Sequence, residues 1–381
     1  MSHSDSTIAL LEDLVAIDSV NPSLVSGARG EAEIARRIAA ECATAGLSVT
    51  VHEVAPGRPN VVAVLDTGAP GPTLMFCGHL DTVGVAGMEQ PFRPVHRDGR
   101  LYGRGAQDMK GGVAAMLGAA RHVAEQQACA RGRLVIAAVV DEEHASIGAE
   151  ALAEGWRADA AVVTEPTDLD IAVAHKGFEW VDIETHGRAA HGSRPREGRD
   201  AILRMGRVMN QLETLDRRLQ SQRPHALLGT ASLHASLVSG GRELSSYPER
   251  CSLQIERRTL PGESLGAGAA EVAAILDRLK RDDREFSGSA RLVFGRAAYE
   301  LAPAHPLPEM LTRAAGSVGL RPRRVGMSFW SDAAILSAAG IPTVLFGPGG
   351  AGLHSAEEYV RVSDVRVCRD ALIVLAREFL G

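Results

Sequence analysis

Leu134–Val140 is an unbroken apolar run, LVIAAVV, and it ends directly on Asp141, Glu142 and Glu143. A strand with no polar face has to be covered on both sides, as strands are in parallel α/β sheets. Leu74–Cys77, Ala160–Thr164 and Thr343–Phe346 are short runs of similar character. Amphipathic stretches with helical spacing lie around them, at 7–17, 31–45, 109–127, 308–318 and 364–379. Strands alternating with helices predict an α/β domain whose central sheet is mostly parallel and covered on both faces.

The middle of the chain has another rhythm. Phe178–Thr185 alternates, 200–219 is helical, and Thr230–Val238 and Ser252–Arg258 read as strands. Residues 267–281 read as a helix and Ala290–Phe294 as a strand. That order, β-α-β-β-α-β, is a ferredoxin-like α+β arrangement that can stand as a small domain. A chain of 381 residues also exceeds the roughly 250–300 at which one hydrophobic core stops growing. The expected organisation is a discontinuous catalytic domain, 1–176 and 296–381, with a lid domain inserted at 177–295.

Composition excludes several classes. The formal net charge is −6 and no basic stripe stands out, which argues against nucleic acid as a partner. No apolar run approaches the ~18–20 residues that span a bilayer. The first residues lack a basic stretch, and Glu12 and Asp13 interrupt the apolar ones, so no signal peptide is expected. The five cysteines are scattered without C-x-x-C spacing, which indicates neither a disulfide framework nor a thiolate metal site. A cytoplasmic protein is expected.

The chemistry-bearing residues follow the strand candidates. His79 and Asp81 come directly after Leu74–Cys77, and in extended chain such i, i+2 residues face one side. The C-terminal ends of strands are where open α/β sheets place ligands. A carboxylate behind a histidine fixes its tautomer and aims the ring, the usual support of a metal ligand, and Asp81 suits that role. Asp108 lies where a glycine-rich loop enters a helix; it suits either an N-cap or a carboxylate bridging two metals. The loop matches neither a P-loop nor a dinucleotide fingerprint. In Asp141-Glu142-Glu143, adjacent residues point apart, so Glu143 can bind metal while Glu142 faces substrate as general base. Glu165 follows Ala160–Thr164, and His354 follows the glycine run after Thr343–Phe346. Two histidines and three carboxylates at separate strand ends form an N/O set suited to Zn²⁺, with Co²⁺ or Mn²⁺ as alternatives.

Taken in order, GHLDTV (78–83), GRGAQDMKGG (103–112), DEE (141–143), TEP (164–166), HGSRPREGRDAI (191–202), RRTLPGE (257–263) and GPGGAGLHSAEEYV (347–360) resemble the M20 metallopeptidase family. The resemblance implies a zinc-peptidase-like catalytic domain carrying an inserted lid and dimerisation domain. It implies two Zn²⁺ per chain, one on His79 and Glu165, the other on Glu143 and His354, with Asp108 bridging. It makes Glu142 the catalytic base and Asp81 the partner of His79, and it implies a cis peptide after Asp108. His191 would steady the oxyanion from the partner subunit of a homodimer formed through the lid. Arg258 would grip a substrate carboxylate, and Ser245 and Gly350 would touch substrate. Ser245 departs from the family pattern, which has Asn there, and so leaves the substrate open.

Glutamate at position 165 implies, by the same resemblance, an N-acyl-amino-acid deacylase similar to acetylornithine deacetylase. A dipeptidase or carboxypeptidase acting on short peptides is the alternative. A non-catalytic homologue that binds amino-acid derivatives is the third reading, and the complete set of ligands and base weighs against it.

Overall fold

The computed structural model describes residues 5–85 and 87–381; the first four residues, part of the leader reading above, lie outside them. The apolar runs are strands. Thr73–His79, Ala160–Val163 and Thr343–Leu345 are buried throughout, and in Arg133–Val139 only Arg133 is exposed. Thr73–His79 lies between Arg133–Val139 and Ala160–Val163, parallel to both. Thr343–Leu345 continues the parallel set beside Ala160–Val163.

Beyond this centre the pairing reverses. Arg58–Asp66 is antiparallel to Arg133–Val139, Ser48–Ala55 is antiparallel to Arg58–Asp66, and Ile171–His175 is antiparallel to Thr343–Leu345. The sheet is therefore mixed, with its parallel part confined to the centre. The edge strand Ser48–Ala55 has no fully buried position, and a strand that faces water suits antiparallel pairing. The apolar stripes of helices Ser6–Ala16, Gly111–Glu125 and Val362–Phe379 pack together, burying Leu11, Leu14, Val113, Met116, Leu372 and Leu375. Asp5 caps the first of these through Thr7 N.

The chain divides into two compact units: Met1–Val173 with Leu301–Val325 and Ser331–Gly381, and Ala174–Glu300 with Gly326–Trp330. The short Gly326–Trp330 segment joins the second unit, and Trp330 shows why. Its ring meets His175 and Phe178, and its Nε1 donates to the Ala297 carbonyl. Within the second unit the order is Gly177–His186, helix Ala201–Gln220, Ser232–Gly240, Arg250–Thr259, helix Ala267–Asp282 and Ser287–Arg296. All strand pairs are antiparallel, in the spatial order second, third, first, fourth. Alternate residues of these strands, such as Val181, Ile183, Leu253 and Ile255, meet Val208, Leu212, Val272 and Leu276 of the helices in a core of their own. Among the described residues no helix is long and apolar enough to cross a membrane.

Candidate active site

Each central strand of the first unit delivers a polar residue where its apolar run ends. His79 ends Thr73–His79, Glu142 and Glu143 follow Arg133–Val139, Glu165 follows Ala160–Val163, and His354 lies beyond Thr343–Leu345. Because those strands are parallel, the first four arrive at one end of the sheet.

Asp108 sits in the midst of this group. Its Oδ1 is 3.1 Å from His79 Nε2 and its Oδ2 is 3.4 Å from His354 Nε2. His354 Nε2 is also 3.2 Å from Glu143 Oε2, while Glu142 and Glu165 each reach within 4.0 Å of His79 Nε2. Among the described residues two groups are close enough to hold an ion: His79, Asp108 and Glu143, and His79, Glu142 and Glu165. The N-cap reading of Asp108 does not hold. Lys110 occupies the N-cap position of helix Gly111–Glu125 without a side-chain capping bond, and Asp108 lies in the wide turn before it, Ala106–Lys110, ahead of a cis peptide to Met109.

His79 Nδ1 is 3.0 Å from the Asp81 backbone oxygen and 3.6 Å from its carboxylate. A carbonyl can only accept, so Nδ1 carries a proton, and Nε2 is the nitrogen turned to the site, 3.1 Å from Asp108 Oδ1. The Asp81 carboxylate is engaged elsewhere: it accepts from Asn21 Nδ2 at 2.7 Å and from the N–H groups of Glu142 and Glu143 at 3.2 Å. Asp81 thus orients His79 through its main chain and the two glutamates through its side chain.

Sequence reasoning missed the polar network behind this. Asn21 Nδ2 also donates to Asp141 Oδ1 at 3.0 Å, and Arg58 pairs with Asp141 at 2.7 Å. Arg58 binds Glu31 through both Nε and Nη2. Asp332, fully enclosed, adds negative charge that raises Glu142 and Glu165. Only the Asn-Pro step after helix Ser6–Ala16 and the Ser-Asp dipeptide at 331–332 could have drawn notice in the sequence.

Burial first, and then mutual repulsion, push Glu142 and Glu165 well above the ordinary carboxylate range. The same causes raise Glu143 to about 7, and its buried Oε1 has no hydrogen-bond partner among the described residues. Burial would raise Asp108 too, but the hydrogen bonds of His354 and His79 hold it low. His354 is lifted to about 10 by its bonds to Asp108 and Glu143. Buried carboxylates in this number demand cations. Two imidazoles among oxygen donors, with an orphaned carboxylate oxygen, fit divalent ions of the zinc type.

Other expected residues lie in the second unit. His191 is exposed, with Nδ1 2.8 Å from Ser193 Oγ. Its loop meets that of Ser245, whose carbonyl accepts from Gly192 N at 2.7 Å. Arg258 has its Nε 2.6 Å from Glu256 Oε1 and its guanidinium over the Phe178 ring. Gly350, in the first unit, pairs with Val360, and a Cβ there would collide with the Tyr359 carbonyl.

This fold gathers histidines and carboxylates at the ends of parallel strands into a candidate metal-binding hydrolytic centre. Residues 75–378 match the model of peptidase family M20/M25/M40, and the chain belongs to that family. It is 29% identical over 395 residues to N-formyl-4-amino-5-aminomethyl-2-methylpyrimidine deformylase of Bacillus subtilis (strain 168), covering 95% of this chain and 92% of that one. It is 29% identical over 389 residues to acetylornithine deacetylase of Myxococcus xanthus, covering 98% and 97%. Among solved structures, aminopeptidase PepT from Bacillus cereus ATCC 10987 superposes with a TM-score of 0.81 at 20% identity, covering 98% of both chains.

Proposed function

We propose that the chain is a di-zinc amidohydrolase that removes a small acyl group from an N-acyl amino acid. The observation that carries this reading is Asp108, whose two oxygens reach two different imidazoles and which would thus stand between the ligands of two ions. His79 and Glu165 would hold one ion, Glu143 and His354 the other, with Asp108 shared. Bound zinc supplies Lewis acidity, polarising an acyl oxygen and making water acidic near neutral pH.

The protein's own residues do the rest. Glu142 takes a proton from the attacking water on one carboxylate oxygen and passes it to the nitrogen of the departing amine. A carboxyl whose affinity for protons is raised by burial and by Glu165 suits that shuttle, because it must hold the proton between the two transfers. Asp81 fixes the tautomer of His79. His191 is assigned to the oxyanion, from the partner subunit of a homodimer formed through the second unit. Arg258, with Nε engaged by Glu256, keeps Nη atoms for a substrate carboxylate. Ser245 and Gly350 complete the substrate contacts, and the enzyme works in the cytoplasm.

The two relatives at 29% identity, a deformylase and a deacetylase, support a small acyl group. Likeness to an aminopeptidase keeps peptide cleavage as the second reading. The deciding assay is amine release from N-formyl, N-acetyl and N-succinyl amino acids and from dipeptides, with Zn²⁺ or Co²⁺ added. Turnover of an N-acyl amino acid supports the proposal; turnover of dipeptides alone replaces it with the second reading.

A further inference from the structure

Glu358 is buried to 1% exposure and lies four residues beyond His354 in the chain. Its carboxylate faces the loop that carries Asp108. Oε1 accepts from the N–H groups of Gln107 at 2.9 Å and Asp108 at 3.1 Å. Oε2 accepts from Gly105 N at 3.0 Å and from Arg104 Nη1 at 2.7 Å. Both oxygens are therefore in use, one on Asp108 itself.

Arg104 closes the arrangement from the other side. It too is 1% exposed, and its Nη2 donates 3.1 Å to the carbonyl of Ser355, the residue after His354. The Glu358 carbonyl accepts from Gly103 N at 3.2 Å. A segment with three N–H groups aimed inward, those of Gly105, Gln107 and Asp108, cannot hold that shape in a buried setting unless an acceptor satisfies them. A carboxylate does so with charge-assisted bonds, roughly twice as strong as neutral ones.

We infer that the Arg104–Glu358 pair is a positioning device that locks the loop of Asp108 to the loop of His354. It sets the spacing of the ligands assigned to the second metal, and it touches neither substrate nor the reacting atoms. The inference rests on the di-metal reading. His79 and Glu165 sit at the ends of their own strands and have no bond to this pair among the described residues. Loosening the brace disturbs two ligands of the Glu143–His354 ion but only the shared Asp108 of the other.

The test is zinc titration of the metal-free full-length chain, wild type beside Glu358→Gln and Arg104→Lys, resolving both binding steps. Gln keeps the size of Glu358, but its amide cannot accept on both sides. Lys keeps the charge of Arg104, yet one ammonium cannot bond Glu358 and the Ser355 carbonyl in the same geometry. Outer partners of metal ligands typically change affinity by roughly 10–100-fold. The expected result is a loss of that size in one of the two steps for Glu358→Gln, a smaller loss in the same step for Arg104→Lys, and a much smaller change in the other step. The Co²⁺ absorption that belongs to the affected step should change with it. Leu372→Ala, a core change in helix Val362–Phe379, is the control for lowered stability alone.

Equal weakening of both steps, or a matching selective loss in Leu372→Ala, overturns the inference. So does unaltered binding in Glu358→Gln. If that variant fails to fold, Arg104→Lys decides by the same criterion. A wild-type chain that binds fewer than two ions instead overturns the di-metal reading, which separates the two failures.

Discussion

Glu142 and Glu143 are neighbours with different surroundings. Glu143 lies 3.2 Å from His354, whereas Glu142 reaches only to 4.0 Å from His79. Replacing Glu142 by Gln removes the proton shuttle while keeping size and shape. The expected result is a fall in kcat of roughly 10²–10⁴-fold, with metal content unchanged by elemental analysis; near-normal turnover would remove Glu142 from the chemistry. The metal-free site should also behave unusually with pH. Glu143 is raised to about 7 from an ordinary value of 4.5, chiefly by burial. A raised carboxylate binds more protons folded than unfolded, so stability falls as pH rises from 4.5 to about 7. Glu142 and Glu165 shift in the same direction. The metal-free chain should therefore melt at progressively lower temperature across that window, and zinc should abolish the trend. A metal-free melting temperature that climbs from pH 4.5 to 7 would contradict it. Of the proposed ligands, His79, Glu143 and Glu165 were legible in the sequence as polar residues closing apolar runs, whereas Asp108 and His354 stood out in glycine-rich loops. Asn21 and Arg58 were not: Asn21 reaches Asp81 and Asp141 across 60 and 120 residues of chain, and Arg58 reaches Asp141 across 83. No local pattern records such pairings.

The elements explain how buried charge is brought to one place. Helix Gly111–Glu125 starts immediately beyond the turn that carries Asp108, and it packs against the strand end that carries Glu165. The contact needs Gly112: a Cβ there would run into the Thr164 carbonyl, one residue before Glu165. Backbone cannot yield as a flexible side chain can, so Gly112→Ala must shift helix or strand. The expected destabilisation is about 1–3 kcal/mol, typical of overpacking. It should come with weaker metal binding, because the shift moves Asp108 and Glu165 apart. Thermal melts with and without zinc check this, and a variant as stable and as well loaded as wild type would show that the contact relaxes freely. The sequence displayed this glycine only as part of a glycine-rich loop. Its reason, a helix lying against a strand end, depends on the fold. Gly103, at φ +154°, and Gly105, at φ +79° beside Thr82, are the loop's conformational glycines. The parallel sheet centre was readable from apolar runs, while the antiparallel edges were not. Ser48–Ala55 and Arg58–Asp66 look in sequence like further β-branched strands, and their direction is set by the short turn that joins them.

At the scale of the molecule, metal and stability are linked through one of the two units. Every proposed ligand, His79, Asp108, Glu143, Glu165 and His354, belongs to the first unit. The second has its own core, in which Val181, Ile183, Leu212, Leu253 and Val272 are buried among one another. Ions that bind only folded protein stabilise it by mass action, by about 4 kcal/mol when free metal is a thousandfold above Kd. That stabilisation falls on the unit that supplies the ligands. Calorimetry of the chelated chain should therefore show two transitions, and restoring zinc should raise one of them alone. A shift of several degrees is expected, since 1 kcal/mol moves Tm by about 2–4 °C in a unit of 150–250 residues. The transition that stays fixed should lose tertiary signal from Trp180, one of the chain's three tryptophans, which lies in the second unit. Trp330 lies in the second unit as well, so replacing both Trp180 and Trp330 by Phe should remove that fluorescence change without moving the zinc-dependent transition. One transition shifting as a whole on metal removal would mean that the units unfold together, and that zinc at the strand ends of the first also holds the second.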